Sequence, residues 1–354
     1  MPPTRVHFNG SINLPDTDTV FRELGERIGP LAARYPDGET GDRQNWIWFQ
    51  LQRFWETPGV ERASDSDIEA KYGGLPKVRV TDGADPDAIA WPSLGYADAY
   101  LASWDRFREL RAAGVIPPGT RFQVQYPTPL ASINAWFVTE DQDRVEASYT
   151  KALFADLARV LAALPHDEIA VQWDVAVEFG LLTGSFPATA TQTFESVVGR
   201  LATCVDRVPA SVPVGLHLCY GDFQHQHFTE PESLELQVRV ANRLAAGARR
   251  SIGWFAFTVP QYQRSPEYFA PIRDLRVRPG TELYFALVPY HPDQQAPGTT
   301  EAQIGLIDEL LVNHPGNGHV EWGVCTECGM ARCDRSETIP LLELHREIVA
   351  GVPV

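Results

Sequence analysis

Short apolar runs and longer amphipathic runs alternate along almost the whole chain. Seven of the short runs, 5–8, 121–126, 169–173, 212–218, 252–257, 283–288 and 319–324, are β-like. Several are nearly continuous in apolar residues, the pattern of parallel strands buried on both faces. An eighth strand falls to 31–35, just ahead of Pro36. Between the strands, apolar residues recur at three- and four-residue steps, as in Val145, Tyr149, Leu153, Leu157, Val160 and Leu164. The same stripe appears in Val20/Leu24/Ile28/Leu31, in 192–207, in Leu236/Val240/Leu244, in Ile304/Ile307/Leu311 and in Ile339/Leu342/Leu344/Ile348. Asp16 or Thr17 supplies the N-cap of the first helix. Eight strand–helix units in order predict an α/β fold, a (β/α)8 TIM barrel. A doubly wound open sheet fits less well, because no glycine-rich phosphate loop follows an early strand.

Residues 56–95 break this alternation. They are rich in turn residues and hold one short β-like run at 78–80, so they predict an excursion inserted over the barrel mouth after the second unit. At about 150 residues per domain a chain of 354 residues would make two domains, but a barrel takes up that length as one. The expectation is a single barrel spanning 1–354.

Charge narrows the partners. Forty-six acidic against thirty basic residues give a net charge of −16, and no Lys/Arg run offers a local exception. Such a field repels polyanions, which excludes nucleic acid and the anionic membrane surface as partners and leaves a small molecule. No run approaches the ~20 apolar residues of a membrane span, and the first residues lack the apolar stretch of a signal peptide. A cytoplasmic location is expected. Five cysteines, an odd number, do not suit a disulfide framework. Cys204 lies in a helical stripe as packing, whereas Cys325, Cys328 and Cys333 fall within nine residues.

In a barrel the chemistry collects at the C-terminal ends of the strands. There the sequence delivers Ser11 after strand one, the turn Pro36-Asp-Gly-Glu39-Thr-Gly with Arg43 after strand two, and Asp174 after strand four. It adds His217-Leu-Cys219 on strand five, His291 after strand seven and Cys325-Thr-Glu327-Cys328 after strand eight. His217 and Cys219, two apart on a strand, share a face, and imidazole with thiolate suits zinc. The same thiols could equally be reduced, packed hydrophobes. His225 and His227 form a second such pair on a loop. Asp174, at the end of an apolar strand, carries a desolvation cost that calls for a partner or a function. His291 is either an exposed loop histidine or a general acid–base near neutral pH.

Together these residues resemble the catalytic barrel of cobalamin-independent methionine synthase, within the superfamily that also holds uroporphyrinogen decarboxylase and zinc-dependent alkyl-thiol transferases. Gly10-Ser11 and Gly38-Glu39 match the family's elements that bind the amino-acid thiol homocysteine. Val171-Gln-Trp-Asp174 matches a strand end whose Asp contacts the substrate amine. His217-Leu-Cys-Tyr220 matches a pair of zinc ligands and Cys328-Gly329 a further one. His291 stands where the family has its proton donor. The resemblance implies a zinc-dependent transferase moving a methyl or alkyl group to or from a thiol. His217, Cys219 and Cys328 would hold Zn2+, Ser11, Glu39 and Asp174 would bind substrate, and His291 would donate the proton. The chain departs from the family on strand six, where 253–258 lacks the zinc-ligating Glu, leaving Cys325, Glu327 or His225 as substitutes. It also has one barrel where the complete synthase has two, and Asp174-Val-Ala replaces the family's Asp-Glu-Pro, so the alkyl donor is left unidentified. Two other readings stay open. One is a metal-free lyase or decarboxylase, with Asp37, Glu39 or Asp174 handling a proton and Arg43 holding a substrate carboxylate. The other is a non-catalytic binding barrel.

Overall fold

The structure, a computed structural model, describes residues 2–63, 76–222, 226–312 and 320–352. Among them ten strands follow in chain order: β1 (Arg5–Val6), β2 (Arg34–Pro36), β3 (Val60–Arg62), β4 (Val78–Val80), β5 (Arg121–Pro127), β6 (Ile169–Val175), β7 (Val214–Leu218), β8 (Trp254–Phe257), β9 (Glu282–Ala286) and β10 (Trp322–Cys325). Eight of them form one sheet in the order β1-β10-β9-β8-β7-β6-β5-β2, and its neighbours pair in parallel. Isolated parallel bridges, Val6 to Ala32 and Ser11 to Gly38, join the two end strands and curl the sheet into a barrel. The eight parallel strands with surrounding helices are the predicted TIM-barrel fold.

The helices are α1 (Thr17–Arg27), α2 (Trp48–Trp55), α3 (Tyr96–Ala112), α4 (Pro129–Trp136), α5 (Thr139–Ala163), α6 (Val177–Leu182), α7 (Phe194–Arg207), α8 (Glu235–Gly247), α9 (Pro266–Phe269), α10 (Thr299–Val312) and α11 (Arg335–Val349). The apolar stripes of the sequence became α1, α5, α7, α8, α10 and α11. Asp16 rather than Thr17 caps α1, accepting the Thr19 N–H at 2.8 Å. Five helices, α2, α3, α4, α6 and the short α9, were not predicted. The longest of these, α3, buries Tyr96, Tyr100, Trp104 and Phe107, a stripe of large aromatics among Ala and charged residues. Among the described residues, no helix is long and apolar enough to cross a membrane.

Strand burial follows the reading of two-sided parallel strands, since every residue of β6 and β7 is buried. The eighth strand is shorter than expected because Gly29–Leu31 turns as a 3-10 helix before it. Strand β10 starts at Trp322, and the head of the predicted run, His319, lies outside the described residues.

The excursion holds the separate antiparallel pair β3–β4, with Val60 opposite Val80. It is fastened beside the barrel mouth. Val78 bridges to Phe137 just past α4. The buried Lys77 ammonium donates to the carbonyls of Asn134 at 2.9 Å and Phe137 at 3.4 Å. Phe54, Trp91, Phe137 and Tyr149 pack edge to face beneath it, with ring centroids 5.2–6.1 Å apart.

Candidate active site

The strand ends open into one pocket that Ser11, Glu39, Asp174, His217, Cys219 and Cys328 line together. These residues lie far apart in the chain, and only the barrel brings them to a common mouth. Trp46, Trp48, Trp136 and Lys77 form further parts of the wall, so the Trp-rich segment and the excursion both reach the pocket.

Two sulfurs make its most reactive corner. The Cys219 Sγ lies 3.8 Å from the Glu327 carbonyl, and its contact with Cys328 holds Cys328 well below the usual thiol range. Burial works in the other direction, but the Arg332 guanidinium, with Nη1 3.9 Å from Sγ, and His217 add to the depression. The same contact and burial push Cys219 well up. The Gly221 N–H donates to Cys219 Sγ at 3.2 Å. Of the two sulfurs Cys328 is therefore the more acidic.

His217 stands beside them. Its Nδ1 is 3.3 Å from Asp174 Oδ1 and its Nε2 is 3.1 Å from the Glu327 carbonyl. Burial presses its pKa down, yet Asp174 and Cys328 more than offset this and leave it raised. Burial raises Asp174 against the hydrogen bonds from His217 and Gln172.

The turn after β2 presents Glu39. Its backbone takes the left-handed conformation at φ 48°, after Gly38 at 78°. A non-glycine residue in that region is held there by its surroundings. The Glu39 N–H donates to Asp37 Oδ1 at 3.0 Å, and Asp37 Oδ2 accepts the Ser103 hydroxyl at 2.8 Å and an ion pair from Arg43. Burial, then the charge of Asp174, pushes Glu39 well above the usual carboxylate range. Two carboxyl groups in one buried wall are suited to an ammonium. Glycines let the loops close: a Cβ on Gly329 would stand 2.2 Å from Ser11 Oγ, so the residue after Cys328 can carry no side chain without displacing Ser11.

Other sequence candidates are placed elsewhere. Arg43 does not line the pocket. It is committed to Asp37, with its guanidinium 4.9 Å over the Tyr100 ring, and so braces the Glu39 turn. Cys325 is buried with its thiol pushed up by burial, and Cys333 is pushed up to about 12 in the same way. The Glu327 carboxylate turns into an adjoining groove, where it meets His227 Nε2 at 2.7 Å and the Gln261 N–H at 2.9 Å. His291 lies in that groove, not in the pocket, and Asp222 lines both. His225 lies outside the described residues. The sequence reading missed Arg332 and Lys77, neither of which belongs to a motif. Asp222 follows the His217-Leu-Cys219 strand end in the sequence but was given no role, and burial pushes its carboxyl up to about 8.

The donor chemistry fits a soft divalent ion: two cysteine sulfurs and an imidazole facing one pocket. Among the described residues, no three metal-ligating side chains are already gathered around one point. Just past β8 stands Thr258, whose single hydroxyl proton is shared between the Leu218 carbonyl at 2.9 Å and the Glu327 carbonyl at 3.1 Å. The Glu327 carbonyl also accepts from His217 Nε2, so ligation by that nitrogen requires it to give up this hydrogen bond.

No protein-family model matches the chain, and neither does any curated protein sequence. Solved structures do. A B12-independent methionine synthase from Shewanella sp. W3-18-1, in complex with selenomethionine, superposes with a TM-score of 0.63 at 12% identity, covering 99% of this chain and 98% of that one. A protein from Listeria monocytogenes assigned as a vitamin-B12-independent methionine synthase gives 0.59 at 13% identity, again covering 99% and 98%. One barrel is thus nearly the full length of these neighbours. Over almost its entire length, this chain has the fold of the B12-independent methionine synthases.

Proposed function

We propose that the protein transfers a methyl or other alkyl group to or from the thiol of a homocysteine-like amino acid, using Zn2+ held by His217, Cys219 and Cys328. The observation that carries this reading is that Cys328, Cys219 and His217 line one pocket together with Glu39, Asp174 and Ser11. Bound zinc would lower the pKa of a substrate thiol and keep its sulfur nucleophilic at neutral pH. The chain's own residues do the rest. Glu39 and Asp174 bind the substrate ammonium and Ser11 its carboxylate. Arg43, through Asp37, holds the Glu39 turn in place. The aromatic wall of Trp46, Trp48 and Trp136 excludes water from the reacting sulfur and leaves room for the donor. His291 supplies the leaving-group proton from the adjoining groove by way of Asp222, which lines both spaces. The selenomethionine bound by the Shewanella neighbour, an amino acid with a methylated chalcogen, supports this substrate class.

Metal analysis of protein purified without chelator tests the proposal. The wild type should carry stoichiometric zinc, and Cys219→Ser and Cys328→Ser should each lose most of it. Absence of zinc from the wild type, or equal metal content in all three proteins, overturns it and returns the metal-free readings.

A further inference from the structure

Gln172 and Asp174 are two apart on β6, so their side chains point to the same face of the strand. Gln172 is fully buried, and the polarity of each of its hydrogen bonds is set by its partners. Its Oε1 lies 2.7 Å from His7 Nε2 and 3.4 Å from Trp254 Nε1. Its Nε2 donates to the Asn9 carbonyl at 3.1 Å and to Asp174 Oδ1 at 2.9 Å. An indole N–H only donates and a backbone carbonyl only accepts. Turning the amide round would therefore set donor against donor on one side and acceptor against acceptor on the other.

The His7 tautomer is fixed in the same way. Arg34 Nε approaches His7 Nδ1 at 3.5 Å, and a guanidinium has no acceptor, so the His7 proton sits on Nε2. Burial and the Arg34 charge keep His7 neutral by lowering its pKa well below the ordinary value. Arg34 is itself anchored. It pairs with Glu282, donates to the Tyr284 hydroxyl at 2.9 Å, and lies 3.9 Å over the Trp254 ring. A hydrogen-bonded chain thus runs through the barrel interior from Glu282 by Arg34, His7 and Gln172 to Asp174. At its end both donors, Gln172 Nε2 and His217 Nδ1, fall on the same oxygen, Asp174 Oδ1. Among the described residues no hydrogen bond engages Oδ2, while Asp174 lines the pocket.

We infer that Gln172 is a positioning residue: locked by His7 and Trp254, it fixes the Asp174 carboxylate so that Oδ1 holds His217 and Oδ2 meets the substrate ammonium. The ammonium half of this inference rests on the function proposed above, and the orientation of Asp174 and His217 does not. Two measurements on the full chain separate them. In protein labelled with 15N-histidine, with His217 assigned by His217→Gln, the wild type should show a downfield His217 Nδ1–H bonded to Asp174. Gln172→Leu should lose it, and so should Gln172→Met, which keeps the side-chain length without a donor; the latter decides the matter if the Leu variant does not fold. An unchanged signal in a folded variant overturns the inference.

Calorimetric titration with homocysteine and with 4-mercaptobutanoate, which lacks the amine, reads the second half. The variants should bind homocysteine about tenfold more weakly, the size of one charge-assisted hydrogen bond, with mercaptobutanoate unchanged. Equal weakening of both thiols would mark a merely structural role and overturn the inference. A wild type that binds neither thiol overturns the proposed function, while the histidine signal still decides the positioning of Asp174.

Discussion

At Cys328 two opposed effects act on the acidity of the thiol. Burial alone would keep the thiol neutral, as it does at Cys204 and Cys325. A hydrogen bond from Cys219 and the nearby Arg332 charge reverse the sign. Burial wins at Glu178, a carboxyl that takes no part in the proposed chemistry. It is pushed from 4.5 to about 7, with the Thr128 hydroxyl as its main opposing partner. Because the folded pKa lies above the unfolded one, its contribution to stability is fully present below about pH 4.5 and is lost as pH rises through about 7. Glu178→Gln stays neutral throughout. Urea unfolding should therefore find it more stable than the wild type at alkaline pH, by about 3 kcal/mol at most, with the difference shrinking toward pH 4. A difference that does not grow with pH would contradict this.

Among the elements, neighbouring strands fit by trading size. The Trp254 ring of β8 lies over Gly215 of β7, where an added Cβ would come within 2.0 Å of it. An indole locked between strands has no flexible end to yield. Gly215→Ala should therefore cost about 1–3 kcal/mol in denaturant unfolding, the usual scale of core overpacking. The site should suffer as well, since Trp254 also helps set the Gln172 amide. Wild-type stability in that variant would show that β8 can slide. The helix α3 illustrates the limit of periodicity at this scale. Its buried face is built from Tyr and Trp, whose polar atoms dilute the apolar stripe, and only packing against α1, α5 and β5 reveals that face.

Over the whole molecule, the pocket is made by barrel closure and by the excursion that leans on it. Lys77 holds that excursion to α4 with a buried ammonium between two carbonyls. Lys77→Met keeps the apolar stem and removes both donors. Deuterium exchange should then rise at least tenfold in β4, since each charged hydrogen bond lost is worth about that factor, while β5 and β6 stay protected. Faster exchange across all strands would mean that Lys77 supports the barrel itself.

What the chain determines locally was legible without its fold. Strand-like runs, helical stripes and turn residues are properties of neighbours in sequence, and they predicted the barrel, the excursion and six of the positions that meet at its mouth. The partners of those positions could not be read. Nothing near Arg43 in sequence distinguishes a substrate clamp from a brace on Asp37, six residues away. Nothing marks Arg332 as the cation beside Cys328, or His7 as the group that orients Gln172, 165 residues later. Those assignments rest on distances across the barrel, on which side chain blocks water and on which donor finds which acceptor. Hydrogen bonds and charges act over a few ångströms of space regardless of chain separation, so only the tertiary structure could decide them.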